Sequence, residues 1–399
     1  MGGVTALGND WPTIRARLAR GETAIRRMSE WDRFDGLNTR LGAPVLGFEV
    51  DSRYDRKKLR TMGPVSRMAV YATECALQDS GLLGDPVLGS GRTGIAYGSS
   101  FGSAAPVMGF AEFMIHGKST KLTGTSYVQM MSHTAPVNIG LFFKIRGRII
   151  PTSSACTSGS QGIGFAAEAI RYGLQDVMIA GGAEELCAGD AAVFDTLYAT
   201  SQQNDAPWMS PRPFDKDRDG LVLGEGAATL VLEEYGRAKA RGATIHAEIV
   251  GFGTNSDGAH ITQPSAPIME RALRLALEDA ALPPEAVGCV NAHGTATETG
   301  DVAESAATAA VFGRRMPIHA LKSFFGHTLG ACGSIEAWLG IEMMNEKCFA
   351  QTVNLETVDP RCAELDYIVK EPRKLDIEYL VSNNFAFGGI NTSLVFKRR

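Results

Sequence analysis

The cysteine at position 156 lies in a run of small residues directly before a segment that favours a helix. Residues 151–162 are rich in serine, threonine and glycine, and residues 163–171 carry the helix-forming pattern. Unpaired backbone N–H groups and the helix dipole at a helix N-terminus favour a thiolate, which makes a cysteine there more reactive. Cys156 is therefore a candidate nucleophile. A free cysteine is often only a buried structural residue, so the local sequence leaves both interpretations open.

Three further segments combine small residues with reactive or polar side chains. His293 follows a predicted strand and precedes Thr295 and Thr297, at the place where an open α/β sheet contacts its ligands. His327 stands between glycines before a predicted helix. The polar, glycine-rich segment 382–391 precedes a final strand and can offer backbone N–H groups to an oxyanion. Each segment alone also has a structural explanation, as a hydrogen-bonded histidine or as a turn.

The helices and strands predicted around these residues form two similar halves of the chain. Residues 76–82 and 276–282 each close a helical stretch with apolar residues at intervals of three and four, and strands are predicted after them at 93–99 and 287–293. An apolar run at 176–182, ended by two glycines, indicates a buried parallel strand. Strands that alternate with helices predict an α/β layered fold.

We expect the duplicated halves to join near residue 240, so that residues 1–240 form one half and residues 241–399 the other. Residues 227–233 and 392–396 read as further strands. The segment 101–144 has no clean period, and we expect an insertion there that shapes a pocket or contacts another subunit.

The composition is that of an ordinary globular protein, with 399 residues and 44% apolar content. No apolar stretch is long enough to span a membrane, and the N-terminal residues lack a signal-peptide pattern, so we expect a cytoplasmic protein without a membrane partner. The seven cysteines are scattered and include no Cys-x-x-Cys, which argues against a disulfide framework or a zinc site. The net charge of −5 gives no indication of nucleic-acid binding. The basic run 53–60 is either a solvated face or a patch for an acidic partner.

Together these segments resemble the β-ketoacyl-acyl-carrier-protein synthases of the elongating type, KAS I and II, within the thiolase-like superfamily. The resemblance covers almost the whole chain. The motifs that carry it are Ser154-Ala-Cys-Thr-Ser158, Gly181-Gly-Ala-Glu-Glu185, Arg212-Pro-Phe-Asp-Lys-Asp-Arg-Asp-Gly220, Gly224-Glu-Gly226, His293-Gly-Thr-Ala-Thr297, Lys322, Gly326-His-Thr-Leu-Gly330 and Asn384-Phe-Ala-Phe-Gly-Gly389. The family implies a thiolase-like α/β fold of two βαβαβαββ halves in a five-layer αβαβα arrangement. It also implies a homodimer, and a heterodimer with a second ketosynthase-like subunit stays open.

The resemblance implies an acyltransferase that performs a decarboxylative Claisen condensation. Cys156 would carry an acyl chain as a thioester, while His293 and His327 would donate N–H to the thioester carbonyl of malonyl-acyl carrier protein as carbon dioxide leaves. The backbone N–H groups of Cys156 and Phe387 would hold the oxyanion of the attacked thioester. This chemistry needs no metal and no redox cofactor, because phosphopantetheine arrives on the acyl carrier protein.

Other family positions carry over to this chain by the same resemblance. Lys322 and Glu304 match a buried lysine and glutamate that we interpret as an ion pair near the histidines, and Glu336 matches a carboxylate that holds the site loops together. Phe101 is expected on the floor of the acyl pocket, with ordinary core packing as the alternative. The expected substrate and pantetheine contacts are Thr295, Thr297, Phe101, Phe385 and Gly388. The expected docking patch for the acidic carrier protein is Lys57, Lys58 and Arg60, extended by Lys118 and Lys121.

The chain also departs from the family pattern in two places. The family opens with a strand that is nearly absent before residues 2–9, so we expect either a different start or another segment that fills this gap in the first sheet. Ala386 replaces a glycine between two phenylalanines, and Ile390 replaces a threonine. These replacements put the mobility of the loop in question, but not the chemistry.

Two other functions stay open from the sequence. A chain-length partner subunit would shape a cavity without catalysis, but such subunits lack the nucleophile that Cys156 provides. A cysteine hydrolase would use one histidine, and the second histidine together with Lys322 disfavours it. Within the family, two histidines favour an elongating enzyme, whereas neither KAS I nor KAS II is preferred. The choice between fatty acid and specialised polyene or polyketide synthesis also stays open.

Overall fold

Strands and helices alternate along the chain, and the computed structural model describes residues 1–50, 53–119 and 121–399. The strands in these residues are β1 (Gly2–Thr5), β2 (Arg26–Arg27), β3 (Leu41–Ala43), β4 (Thr93–Gly98), β5 (Ile149–Thr152), β6 (Val177–Glu184), β7 (Leu223–Gly224), β8 (Gly226–Glu233), β9 (Ala247–Ser256), β10 (Val287–Asn291), β11 (Pro317–His319), β12 (Cys348–Phe349), β13 (Asp366–Tyr367), β14 (Arg373–Lys374), β15 (Tyr379–Phe385) and β16 (Ile390–Arg398). The α-helices are α1 (Trp11–Ala19), α2 (Arg56–Leu59), α3 (Pro64–Asp79), α4 (Ala104–His116), α5 (Ser126–Met130), α6 (Thr134–Phe143), α7 (Ser158–Arg171), α8 (Ala188–Asp195), α9 (Tyr235–Ala240), α10 (Ala266–Asp279), α11 (Glu298–Phe312), α12 (Lys322–Phe325) and α13 (Cys332–Asn345).

The first large sheet has the strand order β1-β8-β6-β4-β5. Strands β5, β4 and β6 run parallel, whereas β8 is antiparallel to both β6 and β1. Every residue of β4 and β6 is buried, as expected for central strands that helices cover on both faces. The strands predicted at 93–99, 176–182 and 227–233 are confirmed by β4, β6 and β8.

The gap that we expected at the start of this sheet is absent, because Gly2–Thr5 itself forms β1 and pairs with β8 along its whole length. A Cβ atom at Gly2 would collide with helix α3, and one at Gly3 would collide with the ring of Trp338 on α13. The expectation was wrong for a physical reason. Glycines usually weaken a strand, but here a close approach of two helices requires residues without side chains. The strand also lies at the edge of the sheet, so it needs one partner only.

The second large sheet has the strand order β13-β11-β10-β15-β16-β9. Strands β13, β11, β10 and β15 run parallel, and β16 is antiparallel to its neighbours β15 and β9. The predicted strands at 287–293 and 392–396 are confirmed by β10 and β16. The hairpin formed by β15 and β16 contains the polar, glycine-rich segment 382–391.

Helices cover and separate the two sheets. Helices α3 and α6 pack on the outer face of the first sheet, α10 and α11 cover the second, and α7 and α13 pack against each other between the sheets. This is the five-layer αβαβα arrangement that the resemblance implies. Glycines of α7 make the central layer possible, because a Cβ at Gly159 would lie 2.9 Å from the backbone nitrogen of Ser334 on α13. The small residues after Cys156 therefore serve helix packing.

The helix-then-strand repeat is present in both halves, as α3 before β4 and α10 before β10. Strands of the first large sheet come from residues 2–233 and those of the second from residues 247–398, whereas the exact boundary at 240 stays a prediction. The segment 101–144, which shows no clean period, forms α4, α5 and α6 in its described part. No helix in the described residues is both long enough and apolar enough to cross a membrane. The cytoplasmic location stays a prediction.

Candidate active site

Cys156 lies in a tight 3-10 turn, Ala155–Thr157, between β5 and α7. Ala155 has a φ of 50°, a left-handed conformation that residues with a side chain adopt rarely and at a cost of about 1 kcal/mol or more. The side chain of Ser158 holds the turn, because its hydroxyl accepts the N–H of Ser154 at 2.9 Å and donates to the carbonyl of Ala155 at 2.7 Å. The backbone of the nucleophile is thus fixed from both sides.

The sulfur of Cys156 is buried and has three polar neighbours. His327 Nε2 lies 2.9 Å from Sγ, and the backbone N–H groups of Phe387 and of Cys156 itself point at the sulfur. Burial raises the pKa of Cys156 to about 12, although the charge of Lys322 and the two N–H groups oppose this rise. We expected the helix N-terminus to favour a thiolate at Cys156, and for the resting protein this prediction is wrong. Burial raises the pKa by more than the helix N-terminus lowers it, so the side chain is a neutral thiol.

The rings of His293 and His327 meet at the sulfur from distant parts of the chain. Their centroids are 5.1 Å apart and the planes are nearly perpendicular, at 87°. A metal-ligating atom from each of three residues, Cys156, His293 and His327, lies within 4.8 Å of the other two. The three side chains are buried, at 4%, 6% and 2% exposed. Burial, together with the charge of Lys322, lowers the pKa of both histidines well below the usual value. Both imidazoles are consequently neutral at physiological pH.

A buried ammonium fixes the proton position of His293. Lys322 Nζ lies 2.5 Å from Glu336 Oε1 and 3.2 Å from His293 Nδ1. Burial works against this charge, but Glu336 and other acidic neighbours hold the pKa of Lys322 above its usual value. Because an ammonium can only donate, Nδ1 accepts and the ring proton lies on Nε2. His293 is thereby set to donate N–H from Nε2.

Glu304 has a different role from the one that we expected. The ion pair of Lys322 is with Glu336, and both oxygens of Glu304 instead accept backbone N–H groups, from His293 at 2.7 Å and from Gly294 at 2.8 Å. Burial raises the pKa of Glu304 to about 8, against these two hydrogen bonds. The carboxyl group therefore holds the loop that carries His293, and the predicted Lys322–Glu304 ion pair is wrong.

Backbone contacts with strand β7 and with the residue before it hold His327 in place. Its N–H donates to the carbonyl of Val222 at 2.7 Å, and its carbonyl accepts the N–H of Gly224 at 3.0 Å. The pairing needs a glycine at 224, because a Cβ there would collide with the carbonyl of Phe325. The Gly-Glu-Gly motif thus positions a histidine a hundred residues away.

A cavity of about 480 Å³ leads to the thiol and the two histidines. Thr295, Thr297 and Phe385 line it, as predicted, and Phe385 packs edge-on against the ring of His293 at 6.1 Å. Gly388 is not among the lining residues, and its N–H donates to the carbonyl of Ile261 at 2.9 Å. The cavity wall here comes from its neighbours in the β15–β16 hairpin.

The replacement at Ala386 leaves this hairpin intact. Ala386 does not have a positive φ, whereas Gly388 and Gly389 have φ of 85° and 73°. Its N–H donates to the carbonyl of Ile390 at 2.8 Å, so the turn closes normally. An alanine therefore fits a position at which the family usually has glycine, while the strained positions keep their glycines.

Phe101 is placed apart from the cavity in the single chain. It lies in the loop after β4, is 38% exposed and does not line the space that leads to Cys156. The exposure contradicts ordinary core packing, and the role on the floor of an acyl pocket stays a prediction.

The predicted docking residues are exposed on the surface. Lys57 and Lys58 lie on α2, Arg60 follows it, and Lys118 and Lys121 follow α4. Lys58 packs over the ring of Phe142, and Lys121 pairs with Glu112 at 2.6 Å. None of the five lines the cavity.

Three residues near the site were not among the predicted site residues. Asn384 donates to Glu336 Oε2 at 2.7 Å, Phe194 stacks on Phe387 with centroids 5.1 Å apart, and Arg218 lines the cavity. Buried Arg218 donates to the carbonyls of Thr297 at 3.1 Å and Glu298 at 2.7 Å, and so supports the threonine loop. The Asn384 and Arg218 motifs were visible in the sequence, but their partners lie far away along the chain.

Comparison with known proteins agrees with this geometry. Residues 1–238 match the family model of the β-ketoacyl synthase N-terminal domain, and residues 246–356 match that of the C-terminal domain. The 3-oxoacyl-[acyl-carrier-protein] synthase 2 of Vibrio cholerae is 36% identical, and synthase 1 of Escherichia coli is 35% identical; each alignment covers 100% of this chain and 97% of the relative. A crystal structure of a β-ketoacyl synthase from Burkholderia phymatum is 62% identical with a TM-score of 0.99, over 100% of this chain and 98% of that one. Nearly equal identity to a synthase 1 and a synthase 2 leaves the subclass open.

Proposed function

The chain belongs to the β-ketoacyl synthase family of acyltransferases, and we propose that it is an elongating 3-oxoacyl-acyl-carrier-protein synthase. The observation that carries this proposal is the meeting of one thiol and two neutral imidazoles at a single gap, within 4.8 Å of one another, at the end of a cavity. One group can bear an acyl chain while the other two bind a second thioester.

Loading of the enzyme begins with the thiol of Cys156. His327 Nε2, at 2.9 Å, is the nearest base that can accept the sulfur's proton as the sulfur attacks an acyl-carrier thioester. The oxyanion of the tetrahedral intermediate then lies near the N–H groups of Cys156 and Phe387, which already point at the sulfur. The carrier thiolate leaves with a proton, and the acyl chain remains on Cys156 as a thioester.

Condensation uses both histidines as donors. The thioester carbonyl of malonyl-acyl carrier protein accepts N–H from His293 Nε2 and from His327, whose ring proton moves to Nε2 once Cys156 is acylated and has no proton to give. The enolate is thereby stabilised as carbon dioxide leaves. Lys322 supports this role because it keeps the proton of His293 on Nε2. The resulting carbanion attacks the acyl carbonyl on Cys156, the carbon–sulfur bond breaks, and the released thiolate takes up a proton. The reaction uses groups of the protein and the phosphopantetheine thioester, and we assign no further cofactor to it.

Acyl carrier protein is the partner that this reaction requires. We assign its docking to the exposed basic residues Lys57, Lys58 and Arg60, which suit an acidic protein. The carbonyl of Arg60 accepts the amide N–H of Gln129 at 3.2 Å, which links this patch to α5. We expect a double Lys57→Glu and Lys58→Glu change to raise KM for acyl carrier protein about tenfold, while acyl-pantetheine turnover stays normal. Lys347→Glu, at an exposed lysine elsewhere, is the matched control.

A second copy of the chain is the other partner that we propose. Strand β5 lies at the edge of the first sheet, and exposed edges are usually covered. Ile149 on β5 is 40% exposed and Leu141 on neighbouring α6 is 65% exposed. An apolar edge of this kind suits a homodimer, and it would suit a related subunit in a heterodimer as well.

The surroundings of Cys156 do not favour the two alternative functions, a chain-length subunit and a cysteine hydrolase. A non-catalytic chain-length subunit has no need of a thiol held 2.9 Å from a histidine under two backbone N–H groups. A hydrolase has no need of a second histidine whose proton is fixed by a buried ammonium.

The direct test supplies the purified protein with acyl and malonyl carrier proteins. We expect carbon dioxide release and a 3-ketoacyl product by mass spectrometry, and loss of both condensation and the acyl adduct in Cys156→Ala. Condensation that persists in this variant would defeat the proposal. Mass spectrometry of intact Cys156 adducts from a panel of acyl chains would also identify the preferred chain length.

A further inference from the structure

His293 lies between two groups of side chains that each have the ligands of a metal site. In the described part of the chain, ligand-capable atoms of His293, Cys332 and Glu336 lie within 4.8 Å of one another, as do those of Cys156, His293 and His327. Thiolate and imidazole are the ligands that zinc and similar soft divalent ions prefer, and two histidines with one cysteine complete three positions of a tetrahedral site.

The first of these groups already contains a cation. The ammonium of Lys322 lies 2.5 Å from Glu336 and 3.2 Å from His293 Nδ1, so it fills the place that a metal would take. No such charge lies between Cys156 and His327, whose Sγ and Nε2 are within hydrogen-bond distance at 2.9 Å. The structure therefore distinguishes two otherwise similar groups, and only the second is free for a metal ion.

We propose that Cys156, His293 and His327 bind one Zn²⁺ ion, or a comparable soft divalent metal ion, and that this binding reversibly inhibits the enzyme. The metal replaces the proton of the Cys156 thiol and that of His293 Nε2. Lys322 passes one proton to His293 Nδ1, so the ring binds the metal as a neutral imidazole and two protons in all leave to solvent. Water from the cavity takes the fourth position. The inhibition rests on the proposed condensing function, whereas metal binding itself does not.

Side-chain rotations must adjust the geometry, because the three ligand atoms lie within 4.8 Å of one another and a tetrahedral zinc site needs separations of about 3.3 to 3.6 Å. Tetrahedral zinc with one sulfur and one imidazole ligand places these atoms about 3.6 Å apart. The present separation of Sγ and His327 Nε2 is 2.9 Å, so side-chain rotation must part them by roughly 0.7 Å. His293 Nδ1 stays bonded to Lys322, which leaves Nε2 to face the metal.

The cysteines of this chain include no pair with the spacing of a zinc motif, which predicts no zinc site from the sequence. That argument applies to local sites, whose ligands lie close together in sequence. Here the ligands are 34 to 171 residues apart and only the fold joins them.

The experiment titrates the purified full-length protein, freed of metals, with Co²⁺ and then with Zn²⁺. We expect one equivalent of Co²⁺ to give the thiolate-to-cobalt absorption band and the visible bands of a tetrahedral site, and Zn²⁺ to displace it. We expect Zn²⁺ to abolish acyl loading of Cys156 and a chelator to restore it. Mg²⁺ should have no effect, because it prefers oxygen ligands.

Two comparisons make the site assignment decisive. Two proteins should lose the cobalt band: Cys156→Ser, and the wild-type protein with an acyl chain on Cys156. Both should bind the metal ion at least 100-fold more weakly, which is a larger loss of affinity than removal of an outer-shell partner causes. Acylation removes the thiolate without any mutation, so this arm does not depend on the folding of a variant. Cys187→Ser, at a cysteine on the N-terminus of α8, should retain full binding.

A cobalt band that persists in the acylated protein, or no band at one equivalent, would overturn the proposal. Normal metal binding in a protein that never condenses acyl and malonyl groups would instead refute only the proposed function. The two failures are therefore distinguishable.

Discussion

Lys322 Nζ lies 3.2 Å from Nδ1 of His293, and this contact determines which nitrogen of the catalytic imidazole bears the proton. The ammonium occupies the position at which Nδ1 would otherwise point its own hydrogen. Nε2 is left as the donor. A residue that does not need to touch substrate thus sets the chemical state of one that does.

Replacement of Lys322 should therefore damage condensation more than acyl loading. We suggest Lys322→Met together with Glu336→Gln, so that no unpaired charge is buried. Loss of the Nε2–H donor should lower the condensation rate about 10²- to 10³-fold, the usual effect of removing one oxyanion donor. The rates of Cys156 acylation and of product formation are measured separately by mass spectrometry.

Nitrogen NMR of the histidines distinguishes this positioning role from a general structural one. The His293 tautomer should change from Nε2–H to a mixture in the double variant. An unchanged tautomer with a lowered condensation rate would contradict the role assigned to Lys322. Lys347→Met, at an exposed surface lysine, serves as the control.

His327→Asn should impair condensation more than loading. During condensation the ring donates to the enolate oxygen, and an asparagine lacks the same reach and donor position. During loading, water in the cavity can take the sulfur's proton in place of His327, and the N–H groups of Cys156 and Phe387 remain in place. We expect about a tenfold slower loading but at least a 10²-fold slower condensation. Equal losses in the two steps would contradict the separate roles.

Alkylation of Cys156 should show no activated thiolate near neutral pH. Because burial raises its pKa to about 12, the thiolate fraction should rise about tenfold for each pH unit from 7 to 9. The rate constant for iodoacetamide, measured by mass spectrometry of the Cys156 peptide, should follow this slope. Free cysteine, with a pKa of about 8.5, should level off in the same range. A plateau for Cys156 between pH 6 and 8 would show that the helix N-terminus dominates after all.

Glu184 should make the protein less stable as the pH rises. Burial raises the pKa of Glu184 to about 7, against hydrogen bonds from Ser100, Ser99 and Gly330. A carboxyl group with a raised pKa in the folded state contributes most below its unfolded pKa of about 4.5, and the contribution is lost as the pH rises through 7. The difference is about 3 kcal/mol at most.

Glu184→Gln mimics the neutral carboxyl group and should remove this slope. The free energy of unfolding in urea at pH 5 and pH 7.5 is the measurement, with Glu346→Gln as the exposed control. A wild-type protein whose stability does not fall between these pH values would contradict the raised pKa.

Leu141→Asp should weaken self-association of the proposed homodimer. The side chain is 65% exposed in the single chain, so the change costs little stability in a monomer, but it places a charge in an apolar contact. Sedimentation velocity should show a shift from dimer to monomer over a concentration series. Leu46→Asp, at a leucine 62% exposed, should leave the association unchanged. A dimer of equal strength in Leu141→Asp would place the interface elsewhere.

The agreement between sequence and structure is best where a signal is local. The strands at β4, β6, β10 and β16 were predictable because an apolar run between turn residues indicates burial wherever it lies. The segment before Val4 was misread because glycines in β1 serve a close helix contact, which no local pattern reveals. Ala386 was a concern in the sequence, yet its backbone φ is ordinary and the strained positions are glycines.

The sequence by itself determined the chemical inventory: a cysteine, two histidines, a lysine and glycine-rich loops in an order typical of one enzyme family. The tertiary structure alone decided the pairings and the charge states. It joined Lys322 to Glu336 instead of Glu304, and it buried Cys156 deeply enough to outweigh a helix dipole. The physical reason is that residue types are fixed along the chain, whereas proton positions and pKa values depend on distance and desolvation, and both are set only when remote segments pack together.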